Sequence, residues 1–287
     1  MSRLGRGLTI AAVAAIGCDV NSALERQSEA RRMAADLHVQ FTKATDAANR
    51  AVMADTDEAS VSFAHEAEKA KETVQKDAAD LTLILQRLGY SEETRLLGEF
   101  GRRFAQYREL DRTILELAVE NTNLKAQRLS FGPAQEAADR FRDVLEGVVP
   151  QDAARDTWRV KALAANAVAA VREIQVLHAP HIADADDAVM TRMEKRMQTA
   201  EAAARSAVAA LAPLVQPGSR AQLATATAAL DRFMSVNAQI VAMSRRNTNV
   251  RSLALSLNEK TKLTGACEES LRALRDALNK RGYTGTR

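Results

Sequence analysis

Apolar side chains recur along this chain at alternating intervals of three and four. Leu97, Phe100, Phe104, Tyr107, Ile114 and Ala118 fall on one helical face, as do Phe63, Ala67, Ala70, Val74, Leu81, Ile84 and Leu88. This is the spacing of a packed helical seam, not the period-two alternation of a strand. Turn formers are sparse. There is neither Gly nor Pro from Cys18 to Leu88, and no Gly from Val148 to Gln216. The interruptions therefore stand out: Asp55-Thr56-Asp57, Gly89-Tyr90-Ser91, Asn121-Thr122-Asn123, Pro150, Pro180 to Asp186, Pro213 to Ser219 and Asn247-Thr248-Asn249. They predict eight helices, approximately 20–54, 58–88, 92–120, 123–148, 151–179, 186–212, 219–246 and 249–281. Each is longer than the ~11-residue mean of globular proteins, as bundle helices are.

Asn121-Thr122-Asn123-Leu124 returns as Asn247-Thr248-Asn249-Val250, and the offset of 126 residues carries other positions with it: Phe104 to Leu230, Tyr107 to Phe233, Ile114 to Ile240, Ser130 to Ser256. This is an internal duplication. The tripeptide has a mechanical reading, since Asn tolerates the left-handed conformation that ends a helix and Thr or Asn can cap the next. On that reading it is a tight turn between antiparallel helices. The expected fold class is all-α, two tandem antiparallel four-helix bundles: an export signal at 1–17, a first bundle at 18–149 and a second at 150–287.

Composition agrees with the pattern. Of 287 residues, 46% are hydrophobic but only 4% aromatic, with 12 Gly and 5 Pro. That is too little turn and strand material for a sandwich or barrel. The 40 basic and 37 acidic residues nearly balance, and no basic stripe with interleaved aromatics points to nucleic acid.

The amino terminus carries Arg3 and Arg6, an uncharged run from Leu8 to Gly17, and then Cys18. This reads as an export signal and is too short for a permanent membrane span, which needs ~20 apolar residues. The stretch resembles a bacterial lipoprotein signal, with small Gly17 before Cys18, although Ala15 stands where that family most often has Leu. The resemblance implies lipidation of Cys18. Cleavage after a small residue such as Ala14, or retention of the leader, stays open. Asp19 after the cysteine implies the periplasmic face of the inner membrane, with secretion into the periplasm as the other outcome. With Cys18 acylated, Cys267 has no disulfide partner and is expected as a small buried side chain.

The helix lengths, the turn at Asn121 and the run from Leu124 to Pro133 resemble the four-helix-bundle sensor domains of methyl-accepting chemotaxis receptors, best over 20–148. Receptors of that family continue into a second membrane helix and a signalling hairpin. None follows here before Arg287, so output is expected through a separate membrane signalling protein.

Asp111 occupies a seam position where an apolar residue belongs, and its duplicate, Asn237, is also polar. Counting from the turns sets Asp111 level with Lys43, Lys69 and Lys71, and with Gly132-Pro133, where the fourth helix loses a backbone hydrogen bond. Two readings follow. Asp111, Lys43, Lys69, Lys71 and Ser130, with Asn237 in the second copy, line a polar cavity for a small polar or anionic ligand; or Asp111 pairs with a lysine and fixes helix register. His178 and His181, followed by Asp184, Asp186 and Asp187, are weak metal candidates in an expected loop, where Asp186 or Asp187 also serves as a helix cap. Trp158 is expected to pack between bundles. No haem attachment motif, phosphate cradle, nucleophile elbow or metal signature is present, so neither cofactor nor enzymatic activity is expected. The leading function is an extracytoplasmic sensor-like protein, the alternative a structural or adaptor helical lipoprotein without a small ligand.

Overall fold

The computed structural model describes residues 11–149 and 156–281, with side chains from residue 23. The first ten residues of the expected export signal lie outside the described residues, as does the Cys18 side chain. The backbone at Cys18 belongs to α1.

The described residues are helical, without a strand. The helices are α1 (Ala11–Met53), α2 (Asp57–Arg87), α3 (Ser91–Glu120), α4 (Thr122–Leu129), α5 (Gln135–Val148), α6 (Thr157–Ala183), α7 (Asp187–Leu211), α8 (Arg220–Arg246), α9 (Thr248–Leu255) and α10 (Thr261–Lys280). No described helix is long and apolar enough to cross a membrane. Punctuation acts where expected. Thr56 caps α2 through Ala59 N–H at 3.1 Å, and Asp186 caps α7 through Ala188 and Val189 N–H at 2.7 and 3.1 Å. Gly89, at φ 69°, ends α2 in a Schellman motif, with Tyr90 N–H on Leu85 O and Gly89 N–H on Gln86 O.

The compact units are not the sequential halves. One comprises Met1–Val119 and Ala254–Arg287, the other Glu120–Leu253. Unit 1 holds α1, α2, α3 and the run ending in α10; unit 2 holds α4 with α5, α6, α7 and α8. The expected bundles at 18–149 and 150–287 have thus exchanged their fourth helices. The cause lies at Asn121 and Asn247, both left-handed at φ 57° and 52°. Reversing a helix takes a connection of about two to five residues. One left-handed residue only redirects the chain, so α3 hands over to α4 in the next unit instead of folding back along it.

Within each unit the exchanged helix runs antiparallel to its neighbour. In unit 1 Glu93 pairs with Arg281, Arg103 donates to Ala266 O at 2.7 Å, and Asp111 meets Lys260. In unit 2 Thr122 meets Thr248, and Gly147 faces Gln222. Residue numbers in every pair sum to about 370, so one register serves both units.

The cores differ in substance. Unit 1 is aromatic: Phe41 sits edge-on to Phe100 and Phe104 at 6.0 Å, and Phe104 stacks between Phe100 and Tyr107. Unit 2 is built from alanines on α6 and α7, with Met190, Met193 and Met197 filling the gaps between them. Cys267 is free and fully buried in unit 1, where burial pushes its thiol up to about 12.

The two Asn-Thr-Asn tripeptides meet in unit 2. Thr122 N–H donates to Thr248 Oγ1 at 3.0 Å and Thr248 N–H to Thr122 Oγ1 at 3.2 Å. Asn123 N–H donates to Asn249 Oδ1, and Asn249 N–H to Asn123 Oδ1, both at 3.1 Å. Asn123 Nδ2 reaches Asn247 Oδ1 at 2.7 Å, and Asn249 Nδ2 reaches Asn121 Oδ1 at 2.5 Å. The first N–H groups of a helix have no intrahelical acceptor; here each helix start is capped by the side chains of its own duplicate. Replacing Asn247 by Ala should destabilise the protein by about 2–3 kcal/mol, combining left-handed strain with the loss of its side-chain hydrogen bonds to Asn123 and Asp184. Asn247→Gly should recover the strain and leave a deficit of about 1 kcal/mol, read from urea denaturation; equal losses for the two variants contradict this account.

Candidate functional site

Both helices that leave the crossing widen into a π turn, at Ser130–Ala134 and again at Ser256–Lys260. The duplicate of Pro133 is Glu259, so the missing N–H of proline is not the common cause; the widened turn accommodates Pro133 without requiring it. Each π turn brings one polar residue into a seam.

In unit 1 that residue is Lys260. Asp111 is completely buried on α3, with Lys71 Nζ at 2.7 Å from Oδ2 and Lys260 Nζ at 2.9 Å from Oδ1. Lys71 donates to Oδ2, whereas Lys260 is an ion-pair neighbour of Oδ1 outside hydrogen-bond alignment. Lys71 also donates to Glu68 at 2.7 Å and Lys260 to Asn49 at 3.1 Å. Burial holds the Lys260 amine below its ordinary range, and the Asp111 carboxylate opposes that shift. Tyr107 OH lies beside them with no hydrogen-bond partner among the described residues, pushed well up by burial and then by Asp111. Lys71 and Asp111 therefore meet as expected. Lys43 and Lys69 do not join them, for both are exposed. The buried stripe of α2 runs through Ala67, Lys71 and Val74, and Lys69, two residues from Lys71, points about 200° around the helix. Lys43 is similarly turned out between the buried Phe41 and Ala44.

In unit 2 the duplicate layer has lost its charge. Asp111, Lys71, Lys260 and Tyr107 correspond to Asn237, Met197, Ala134 and Phe233, all buried. Ser130 and Asn237 are brought together by His178, whose Nδ1 lies 3.0 Å from Ser130 Oγ and whose Nε2 lies 2.9 Å from Asn237 Oδ1. Nε2–H must donate to the amide oxygen, so Nδ1 accepts from the Ser130 hydroxyl. Burial lowers the His178 value, against the pull of its bond to Asn237. One turn on, His181 is fully buried with Nδ1 at 2.8 Å from Ser244 Oγ and Nε2 at 3.0 Å from Glu194. Ser244 gives its own proton to His181 O at 2.6 Å, so Nδ1–H donates to the hydroxyl. Arg245 donates to Glu194 at 2.6 Å and, with His181, holds that carboxyl below its ordinary range.

The two histidines lie inside α6, not in the expected loop, because the helix continues through Pro180 to Ala183. The carbonyl four residues before the proline belongs to Val176, which is 73% exposed, so water can replace the missing donor. Both rings are engaged, and among the described residues no cluster of three or more His, Cys, Asp or Glu could hold a metal. Trp158 is 70% exposed on α6 and does not pack as the expected anchor.

Depressions flank unit 2 among the described residues. One, of about 400 Å³ between α5 and α6, is lined by Leu145, Val149, Ala164 and Val168, with Arg142 and Lys161 at its rim. Another, of about 140 Å³ between α7 and α8, reaches Asn237 and so opens onto the polar layer. Sequence reasoning missed Lys260, which reaches the seam through the helix exchange, and took His178 and His181 for weak metal candidates instead of members of the polar layers. No signal in the sequence singled out Lys260, since one lysine already balances the charge of Asp111. The chain matches no family model and no curated protein.

Breaking a buried ion pair costs about 3–5 kcal/mol because the surviving charge is stranded. Asp111→Asn should lose stability on that scale, whereas combining it with Lys71→Met and Lys260→Ala, the residues of unit 2, should recover most of the loss in urea melts; a triple variant no better than Asp111→Asn refutes the equivalence of the layers. His178 supplies a pH dependence. With its folded value below the ordinary value of about 6.5, the unfolded chain binds more protons in the window between the two. Stability should therefore be complete above that window and fall as pH drops through it. His178→Gln should flatten this part of the pH profile; an unchanged slope would remove His178 as its source.

Proposed function

We propose that the protein is a non-catalytic, sensor-like helical module whose ligand site is in unit 2. The carrying observation is the divergence of the two layers. In unit 1 the seam is closed by Lys71, Asp111 and Lys260. In unit 2 the same layer is neutral at Asn237 and opens on the α7–α8 groove. A bound molecule that favours one packing of α7 against α8 biases the bundle only through a difference in affinity for two states. Asn247, at the end of α8, passes that bias to the crossing, where each helix start depends on the other for its caps. The leader supports a lipid tether at Cys18 on the periplasmic face of the inner membrane, with a separate membrane protein receiving the signal.

The adaptor reading has one observation in its favour. Phe131 and Leu257 occupy duplicate positions on the two π turns and are 76% and 65% exposed, a repeated apolar knob that suits a protein partner.

Two readouts on the full chain test the proposal. In a small-molecule thermal-shift screen a ligand of the folded state raises the melting temperature. That rise should vanish in Ala238→Leu, which fills the groove from an exposed position, and persist in the triple unit 1 variant. Silence across the screen rejects the sensor in favour of the adaptor. Fatty-acid labelling should disappear in Cys18→Ser, and labelling that survives the change rejects the tether.

A further inference from the structure

The α7–α8 groove has a chemistry that the sensor reading leaves open, and the inference drawn from it rests on that reading. Its wall on α7 carries Glu194 and Glu201, and its floor carries Met197 and Met234. The ion pairs Glu194–Arg245 and Arg205–Asp231 bracket it and place Asn237 level with Gln198 and Glu201.

Arg245 and Arg205 beside the groove are each shared between two carboxylates, and Glu194 also has His181 as a partner. Arg245 serves Glu194 and Asp187, at 2.6 and 2.9 Å; Arg205 serves Glu201 and Asp231, at 2.8 and 2.7 Å. The described hydrogen bonds of both glutamates use Oε1, leaving each Oε2 unpartnered among the described residues. The wall therefore has excess negative charge and free acceptors. Across from it, Asn237 is only 7% exposed. Its Oδ1 is held by His178 at 2.9 Å, and its Nδ2 has no hydrogen-bond partner among the described residues. That donor is open to the groove, which Asn237 lines, so a ligand that accepts from it takes the place of water there.

We propose that the groove binds a small organic ammonium compound that also carries a neutral hydrogen-bond acceptor, the chemistry of a short amino alcohol. The ammonium takes Glu201 Oε2, the hydroxyl oxygen accepts from Asn237 Nδ2, and the methylenes cover Met197 and Met234. The volume of about 140 Å³ matches a cavity that holds a molecule the size of benzene. A carboxylate ligand meets the excess charge of Glu194 and Glu201 instead. The expected ligand is thus a cation, the reverse of the anion that the lysines around Asp111 suggest.

Isothermal titration of the full chain with aminobutanol, butylamine, butanediol and succinate tests this. Aminobutanol should bind. Butylamine, which lacks the acceptor, and butanediol, which lacks the ammonium, should each bind about tenfold more weakly or worse, as expected for losing one charge-assisted or buried hydrogen bond. Glu201→Gln should weaken aminobutanol by at least about tenfold, and Ala238→Leu should abolish its binding, with both variants melting within a few degrees of the parent. Aminobutanol binding indifferent to both variants overturns the proposal. Succinate binding that Ala238→Leu abolishes, with no response to the amines, overturns the ammonium assignment and leaves the sensor reading standing. No binding by these probes overturns the ammonium assignment; the wider thermal-shift screen decides the sensor reading separately.

Discussion

Everything in this architecture depends on the orphaned N–H groups at the starts of two buried helices. Thr122 and Asn123 open α4, Thr248 and Asn249 open α9, and the first three are buried while Asn249 is half-buried. Water does not satisfy them well there, so they need fixed acceptors. The duplication provides these at no added sequence complexity. A tripeptide able to accept from its own copy makes an isologous contact, in which residue i meets its duplicate and the duplicate meets residue i. Such a contact is the signature of a two-fold assembly of identical chains, here contained in one chain. It also accompanies the exchange of the fourth helices, since the chain passes between the compact units at Val119–Glu120, beside Asn121, and at Leu253–Ala254, within the helix that follows Asn247.

Once the frame was fixed in this way, the two copies were free to diverge inside it. The seam position that is Asp111 in one unit and Asn237 in the other shows the range. In unit 1 a carboxylate is compensated by two lysines, of which one, Lys260, comes from the other copy's fourth helix. In unit 2 the compensation disappears with the charge, and a histidine from α6 bridges Ser130 and Asn237. The first arrangement resists ligand entry because every strong polar group except the Tyr107 hydroxyl and one oxygen of Asp111 is bonded within the cluster. The second leaves an amide nitrogen beside a groove.

Much of this was legible in the chain itself. The seam of α3, from Leu97 to Ala118, is buried as its periodicity requires, and the helix boundaries follow the punctuation closely at Thr56, Gly89 and Asp186. The offset of 126 is both a sequence repeat and the separation of residues in contact. The candidate site was half legible. Asp111 and Lys71 do lie in a common layer, because helical periodicity places residues on faces, whereas Ser130, expected beside Asp111, joins Asn237 in unit 2 because its helix is exchanged. Lys43 and Lys69 fail by that same periodicity, a displacement of one or two residues around the helix being enough to turn a side chain outward.

Local sequence determined which stretches are helical, where they stop, which faces are apolar and that the pattern occurs twice, since these depend on propensities and spacings within a few turns. Tertiary structure alone decided which fourth helix joins which bundle, that Lys260 completes the charge on Asp111, and that His178 reaches Asn237. The first two depend on the direction the chain takes after a single left-handed residue, and a local pattern of apolar positions is satisfied equally well by a helix that folds back and by one that continues into the next bundle; the third depends on how α6 packs against α8.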